Sequence, residues 1–211
     1  MAKRVIGLTG SFGSGKTAVA HLLQEKGALV IDVDEAGRWA VDANASVQET
    51  LRLTFGDVYF PDHRLDRRRL GKLVFADDDA RKRLNAIVHP VMILRVEELL
   101  QQAQLAKNPW PYIVVDAALL FELQLNRLCD WVVTVSAPES IRIRRARRRD
   151  RISQQDAMDR IHAQMAEHDK IRLADYVLDN SDSLRTLSGR VETLHRWILK
   201  KVAELNATGS V

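Results

Sequence analysis

A glycine-rich octapeptide near the start of the chain carries the clearest chemical signal. Residues 10–17 read GSFGSGKT and satisfy the pattern G-x-x-x-x-G-K-[ST]. Glycines let the backbone close around a polyphosphate, so that successive N–H groups donate to phosphate oxygens. The Lys16 ammonium would act on the β- and γ-phosphates, and the Thr17 hydroxyl is a suitable Mg²⁺ ligand. We therefore predict a nucleoside triphosphate site. Its predicted contact residues are Gly10, Ser11, Gly13, Ser14, Gly15, Lys16, Thr17 and Ala18.

Two aspartates at the ends of strand-like segments are candidates for proton transfer and metal binding. Asp32 lies at the end of one apolar run, with Asp34 beside it. Its carboxylate can accept a proton from an acceptor hydroxyl, although a helix cap or a water-mediated Mg²⁺ contact would also use it. We predict Asp32 as the general base. Asp116 ends another apolar run in the position of a Walker B acid, where a Mg²⁺-water contact and a structural role are equal alternatives.

An arginine-rich stretch at residues 142–151, RIRRARRRDR, has two opposing interpretations. A charged helix is usually a solvated face, but phosphoryl transfer needs a lid that brings guanidinium groups onto the phosphates. Arg145 and Arg149 share one helix face, so both are candidates for a clamp on the phosphates. The S-x-x-E form of residues 136–139 predicts a capping box at the start of this helix, and residues 153–156 predict a similar start for the next.

Missing motifs narrow the class of nucleotide-binding protein. The sequence has no N-K-x-D tetrad to read guanine, and residues 187–189 give only a fragment of the ABC signature within an apolar tail. This leaves a small P-loop phosphotransferase, which needs a positioned hydroxyl, a base and cationic cover for the phosphoryl group. Two alternatives stay open. One is a kinase for another nucleotide or metabolite, and the other is a basic nucleic-acid-binding module that uses the arginine stretch.

An alternating pattern of strands and helices must position these residues. Near-continuous apolar runs are typical of strands covered on both faces, and a strand, helix, strand order predicts parallel pairing. Residues 34–107 are polar and helix-forming, and the tail from Leu184 places apolar residues every three or four positions. We predict an α/β P-loop NTPase fold: a three-layer core with a parallel sheet of about five strands, an inserted helical domain and a helical lid. The predicted strands are residues 4–9, 28–33, 112–116, 131–135 and 176–178.

Composition and charge limit the class of protein further. The 211 residues are 46% hydrophobic and 28% charged with a formal net charge of +4, which is typical of a soluble globular protein. The single cysteine, Cys129, excludes an intrachain disulfide framework and fits a cytoplasmic setting. No apolar run reaches the about 18 residues of a membrane-spanning helix. We expect small-molecule partners, with no nucleic acid or membrane, and the sequence makes no prediction of oligomeric state.

Several segments, in matching order and spacing, resemble the dephospho-coenzyme A kinase family along essentially the whole chain. Residues 7–17 (GLTGSFGSGKT) resemble its G-L-T-G-G-I-G-S-G-K-[ST], and residues 30–34 (VIDVD) its V-I-D-A-D. Ser11 replaces a glycine of that pattern, Ala118 replaces the proline of P-L-L-F-E, and Arg142 stands where a glutamine is common. Further similar segments are residues 65–67 (LDR), 84–90 (LNAIVHP), 119–122 (LLFE) and 175–180 (DYVLDN).

The resemblance implies transfer of the ATP γ-phosphoryl group to the ribose 3′-hydroxyl of dephospho-coenzyme A, the last step of coenzyme A synthesis. Asp32 matches the family's presumed base, and Asn180 joins the nucleotide contacts. Arg145 falls on a lid arginine, which implies that it is a catalytic and nucleotide-binding residue. The implied substrate contacts are Asp34, Asp66, Arg67, His89 and Leu119. The implied domains are a nucleotide-binding core at 1–33, 108–138 and 175–211, a substrate-binding insertion at 34–107 and a lid at 139–174.

The histidines predict neither a catalytic nor a zinc site. His89 precedes Pro90, and a residue before proline is restricted towards extended geometry, which favours a structural role. Six scattered histidines and one cysteine disfavour zinc. Mg²⁺ is therefore the only metal expected, with Thr17 and Asp116 as its protein contacts.

Overall fold

One sheet of five strands organises the computed structural model, which describes residues 3–60 and 64–208. The strand order is β2-β3-β1-β4-β5, and β1 pairs in parallel with both β3 and β4. Each strand overlaps a predicted one, so the prediction of a parallel sheet of about five strands is confirmed. The strands are β1 Val5–Thr9, β2 Leu29–Asp32, β3 Ile113–Asp116, β4 Trp131–Ser136 and β5 Tyr176–Asp179.

Helices make up most of the remaining described chain, and four of them lie between β2 and β3. A 3₁₀ turn, Leu125–Leu128, precedes β4. The helices are α1 Lys16–Glu25, α2 Val33–Ala43, α3 Ala45–Phe55, α4 Arg67–Ala76, α5 Asp78–Leu105, α6 Glu139–Asp150, α7 Gln154–His162, α8 Glu167–Leu173 and α9 Leu184–Thr208.

The sheet is covered on both faces, as the three-layer prediction requires. On one face, α1 and α9 pack against the strands, and α9 buries Leu187, Val191, Leu194 and Ile198 almost completely. On the other face, Leu120 packs closely against β1, and a Cβ atom at Gly7 would lie 2.8 Å from one of its methyl groups. Helix α8 covers the same side of β4, where the Thr134 hydroxyl donates to the Lys170 carbonyl at 3.2 Å.

The chain divides into two compact units. The first comprises Met1–Ile31 and Gln102–Val211 and contains β1, β3, β4 and β5. The second is Asp32–Gln101, and it has its own apolar core. Residues 1–2, 61–63 and 209–211, which the predicted core and insertion include, lie outside the described residues. The core of the second unit contains Val41, Val47, Leu51, Val58, Tyr59, Leu65 and Leu70.

Of the two predicted helix starts, the first differs from the structure and the second agrees with it. Helix α6 begins at Glu139 with Pro138 as its N-cap and no side-chain cap, because Ser136 is still part of β4. The capping box predicted at 136–139 is therefore absent. The box at residues 153–156 is present, since the Ser153 hydroxyl accepts from the Asp156 N–H and the Asp156 carboxylate accepts from the Ser153 N–H.

The extended geometry predicted for His89 is also wrong. His89 and Pro90 both lie inside α5, which continues through them. Proline lacks the N–H that would donate to the Ala86 carbonyl one turn earlier. Pro90 and Ala86 are both exposed, so solvent can satisfy that carbonyl and the helix continues.

Candidate active site

The glycine-rich loop joins β1 to α1 in a conformation that glycine makes possible. Gly13 and Gly15 have φ angles of 82° and 91°, in the left-handed region. A Cβ atom at Gly10 would lie 2.6 Å from the Val135 carbonyl oxygen, and one at Gly13 would lie 2.6 Å from the Arg142 carbonyl oxygen. Larger residues would therefore displace the backbone of β4 or α6.

Polar atoms of this loop fit a bound polyphosphate. The Ser14 hydroxyl is buried and lacks a hydrogen-bond partner within the described part of the chain. The Ser14 N–H closes the turn by donating to the Ser11 carbonyl at 2.9 Å. Gly15 is the N-cap of α1, whose first N–H groups have no intrahelical acceptor and so favour an anion. A phosphate oxygen would supply the partner that the Ser14 hydroxyl lacks.

Lys16 and Asp116 form a buried ion pair beside the loop. The Lys16 ammonium donates to the Asp116 carboxylate, and the two side chains are 13% and 8% exposed. Asp116 therefore holds the Lys16 ammonium in place, a contact that matches the structural role given as one of its two alternatives.

The donor set at this position fits Mg²⁺. Thr17 is exposed in the first turn of α1, and the Asp116 carboxylate ends β3. Among residues 3–60 and 64–208, no group of three or more His, Cys, Asp and Glu side chains could hold a metal ion. Mg²⁺ in kinase sites needs only one or two protein oxygens, because substrate phosphates and waters complete its shell. Thr17 and Asp116 meet that requirement.

Arg145 and Asn180 lie against the glycine-rich loop. The Asn180 side-chain amide donates to the Ser14 carbonyl at 2.7 Å. Arg145 donates to the Asn180 carbonyl at 2.8 Å and to the Asp182 carbonyl at 3.4 Å. A cleft of ≈430 Å³ lies between the loop and α6. It is lined by Gly13, Gly15, Arg145, Ala146, Arg148 and Arg149. The structure thus brings two of the predicted nucleotide residues together with the phosphate-binding loop.

The other arginines of α6 have different surroundings from one another. Arg142 is buried, donates to the Ala137 carbonyl at 2.9 Å, and lies 2.8 Å from the Glu167 carboxylate. Arg149 lies 5.3 Å from the centre of the Phe12 ring and pairs with Asp150. Neither interpretation of the arginine stretch therefore applies to all of it. The exposed members are Arg144, Arg147, Arg148, Arg149 and Arg151.

Asp32, in the second unit, caps helix α2. One carboxylate oxygen accepts from the N–H groups of Asp34 at 2.8 Å and Glu35 at 3.3 Å. The other oxygen lies 3.4 Å from the Arg38 guanidinium. The predicted base thus also has the capping role that was its alternative, and the capping bonds fix the direction of its second oxygen.

Four predicted substrate residues also belong to the second unit. Asp34 is exposed in the first turn of α2. Asp66 caps α4 by accepting from the Arg69 N–H at 2.9 Å. Arg67 pairs with Asp42 at 2.7 Å. His89 is half-buried in α5, and burial lowers its pKa, which favours the neutral ring. Leu119 belongs to the first unit, in the turn that follows β3.

Comparison with known proteins identifies the relatives of this chain. The family model for dephospho-CoA kinase matches residues 4–186, most of the chain. The chain belongs to the dephospho-CoA kinase family. Membership favours a kinase over the nucleic-acid-binding alternative, and the predicted resemblance is confirmed.

Individual relatives match over nearly their whole length. A dephospho-CoA kinase from Anaeromyxobacter dehalogenans is 40% identical over 192 residues, which cover 90% of this chain and 90% of the relative. One from Oceanobacillus iheyensis is 37% identical over 195 residues, 92% of this chain and 97% of the relative. A crystal structure of a Thermus thermophilus protein has a TM-score of 0.79 at 32% identity, covering 95% of this chain and 98% of that one.

In the described ranges, 3–60 and 64–208, no helix combines the length and the apolar character needed to cross a membrane.

Sequence reasoning missed several residues that surround the loop. Gln164 accepts from the Phe12 N–H at 2.8 Å, and Glu122 accepts from the Met165 N–H at 2.8 Å. Lys170 is buried beside Glu122. Gln164 and Lys170 lie in a polar stretch that is typical of the protein surface, so the sequence gives no signal of the burial of Lys170. Only Glu122 had a signal, the similarity of residues 119–122 to the family pattern.

Proposed function

We propose that this chain transfers the γ-phosphoryl group of ATP to the ribose 3′-hydroxyl of dephospho-coenzyme A, which yields coenzyme A. The observation that carries the proposal is a phosphate-binding loop with Arg145 and Asn180 against it, in a chain that matches the dephospho-CoA kinase family over residues 4–186. Relatives 37% and 40% identical are named dephospho-CoA kinase. A cytoplasmic protein with small-molecule partners, and neither nucleic acid nor membrane, fits this reaction.

ATP binds with its phosphates in the loop. The backbone N–H groups at the start of α1 and the Ser14 hydroxyl donate to phosphate oxygens. Lys16 exchanges part of its contact with Asp116 for the β- and γ-phosphates. Bound Mg²⁺, held by Thr17 and through water by Asp116, would neutralise charge on the phosphates. Arg145 acts from α6 on the negative charge that spreads over the phosphoryl oxygens during transfer.

Asp32 accepts the proton of the attacking hydroxyl. Its capping oxygen is occupied by two N–H groups, so the second oxygen is the one that takes the proton. Asp34, Asp66, Arg67, His89 and Leu119 contact dephospho-coenzyme A. Residues 34–107 form the substrate-binding part, residues 139–174 form a lid, and residues 1–33, 108–138 and 175–211 form the nucleotide-binding core.

The proposal is tested by measuring ADP production with a panel of acceptors. We expect rapid Mg²⁺-dependent turnover with dephospho-coenzyme A and only slow ATP hydrolysis without it. Nucleosides, nucleotides and shikimate serve as alternative acceptors. Efficient phosphorylation of one of these, with none of dephospho-coenzyme A, would contradict the assigned substrate and favour another small-molecule kinase.

A further inference from the structure

Lys170, in α8, is a buried charge that the catalytic assignment leaves unexplained. Its side chain is 0% exposed, and its ammonium donates to the Ala118 carbonyl at 2.6 Å. The Glu122 carboxylate lies 3.2 Å away. Taking an ammonium out of water is costly unless partners compensate for it. A lysine that is fully buried next to the candidate active site therefore needs a structural or catalytic explanation.

The Ala118 carbonyl connects Lys170 to the phosphate site. It also accepts from the Thr9 hydroxyl, at 3.3 Å, and Thr9 is the last residue of β1 before the glycine-rich loop. The neighbouring Ala117 N–H donates to the Leu8 carbonyl at 3.0 Å. Ala118 follows Asp116 by two residues. The Lys170 ammonium thus holds the backbone turn that directly follows Asp116.

The two lysines of this region also act on each other. Burial lowers the pKa of Lys170, the Glu122 carboxylate raises it, and the positive charge of Lys16 lowers it. Lys16 and Asp116 form one ion pair, and Lys170 and Glu122 form another. The charge of Lys16 reaches Lys170, so the second pair lies within the electrostatic surroundings of the first.

We propose that Lys170 is a positioning residue for phosphoryl transfer, which holds the Ala118 turn so that Asp116 stays opposite Lys16. The inference rests on the proposed function and adds a residue to it. Without the Lys170 ammonium, the Ala118 carbonyl loses a hydrogen-bond donor. The turn is then less constrained, and the Asp116 carboxylate can move. A misplacement of about 1 Å at a site of this kind costs about 10²-fold in rate.

Other contacts hold α8 in place without the Lys170 ammonium. The Thr134 hydroxyl bonds the backbone carbonyl of Lys170, and the Glu167 carboxylate accepts from the Ala137 N–H at 3.1 Å. Glu167 also pairs with Arg142 at 2.8 Å. Because these contacts remain in a Lys170→Met variant, α8 stays docked and the loss is confined to the Ala118 turn.

The test is a double-mutant cycle between Lys170→Met and Asp116→Asn. The variants are assayed for dephospho-coenzyme A phosphorylation and for intrinsic ATP hydrolysis, with melting temperature measured in parallel. Arg172→Met is the control, since Arg172 lies in the same helix, is 76% exposed, and pairs only with Asp169 in the described structure. We expect Lys170→Met to lower kcat about 10- to 10²-fold with the KM for dephospho-coenzyme A within about twofold. Arg172→Met should resemble the wild type.

The cycle decides whether Lys170 acts through Asp116. If it does, Lys170→Met costs little more in the Asp116→Asn background, because the group that it positions is already lost. Lys170→Arg should recover part of kcat, since it keeps the charge and the donor. Additive losses, or a lower melting temperature with unchanged kcat, would overturn the proposal. If Lys170→Met does not fold, Lys170→Arg and Glu122→Gln provide the same cycle.

Failure of the proposed function is distinguishable from failure of this inference. A wild-type chain that hydrolyses ATP slowly but never phosphorylates dephospho-coenzyme A contradicts the substrate assignment alone. The double-mutant cycle is then evaluated with the rate of intrinsic ATP hydrolysis. Non-additive losses still support the positioning role of Lys170, and additive losses still contradict it.

Discussion

Opposite faces of helix α6 carry similar arginines with different contacts. Towards the glycine-rich loop, Arg142 and Arg145 bond carbonyl and carboxylate oxygens. On the other face, Arg144, Arg147 and Arg151 are exposed and have no ion-pair partner in the described chain. The comparison shows that a high arginine content does not by itself identify the functional face of a helix. An arginine that is held by fixed acceptors beside the loop is already oriented for phosphate, whereas an exposed one must lose rotamer freedom to bind.

The largest loss is expected from a carboxylate rather than from a cation. Asp32→Asn should lower kcat about 10²- to 10⁴-fold with ATP affinity nearly unchanged, because an amide keeps the shape but cannot accept the proton. Steady-state kinetics and calorimetric ATP binding measure the two quantities. A large loss of ATP affinity with normal kcat would assign Asp32 to binding, and would leave the cations of the loop as the main catalytic groups.

Lys16→Ala tests the loop itself. The lost charge acts on phosphates, and its partner Asp116 is left buried, so we expect a rate loss of about 10²- to 10³-fold. Circular dichroism and melting temperature show whether the variant is folded. A folded variant that turns over near the wild-type rate would mean that the glycine-rich loop is not the phosphate site.

Arg145→Ala tests the inner face of α6 against the outer face. We expect kcat to fall about 10- to 10²-fold, whereas Arg144→Ala, the matched exposed control, should stay within about twofold. Lysine at position 145 should recover only part of the loss, since an ammonium cannot make a forked contact with two phosphoryl oxygens. Equal effects at positions 145 and 144 would support the interpretation of the whole arginine-rich stretch as a solvated face.

Arg142 sharpens the comparison, because it lies on the inner side and yet serves structure. Arg142→Met should cost about 3 kcal/mol of unfolding free energy, since it removes one partner of a buried ion pair. The kcat of the folded variant should change less than that of Arg145→Ala. Urea unfolding and steady-state kinetics measure both effects. A kcat loss equal to that at position 145, with unchanged stability, would assign Arg142 to the phosphates instead.

The parts of the fold that local sequence determines were predictable. The glycine-rich loop depends on residues 10–17 alone, and the strands are short apolar runs covered on both faces. The capping box at 153–156 was also found, because its two partners lie within four residues of each other. At 136–139 the same pattern misled, because β4 pairs with β5 as far as Ser136 and the helix starts only after Pro138.

The buried charges of the site were not predictable from the sequence. Lys170 and Arg142 lie in helices rich in exposed charge. Their burial, and their pairing with Glu122 and Glu167, arise from the tertiary structure. The ion pair between Lys16 and Asp116 joins residues one hundred positions apart. Its two members were each found from a local motif, but their contact follows from the parallel pairing of β1 with β3.

The most direct test of the central claim is ³¹P NMR of the product formed from dephospho-coenzyme A and ATP with Mg²⁺. We expect a new phosphomonoester resonance coupled to the ribose 3′ proton, in an amount equal to the ADP produced. It should be lost with Asp32→Asn and retained with Arg144→Ala. ADP formation without that resonance, or a phosphate on another hydroxyl, would contradict the proposed reaction.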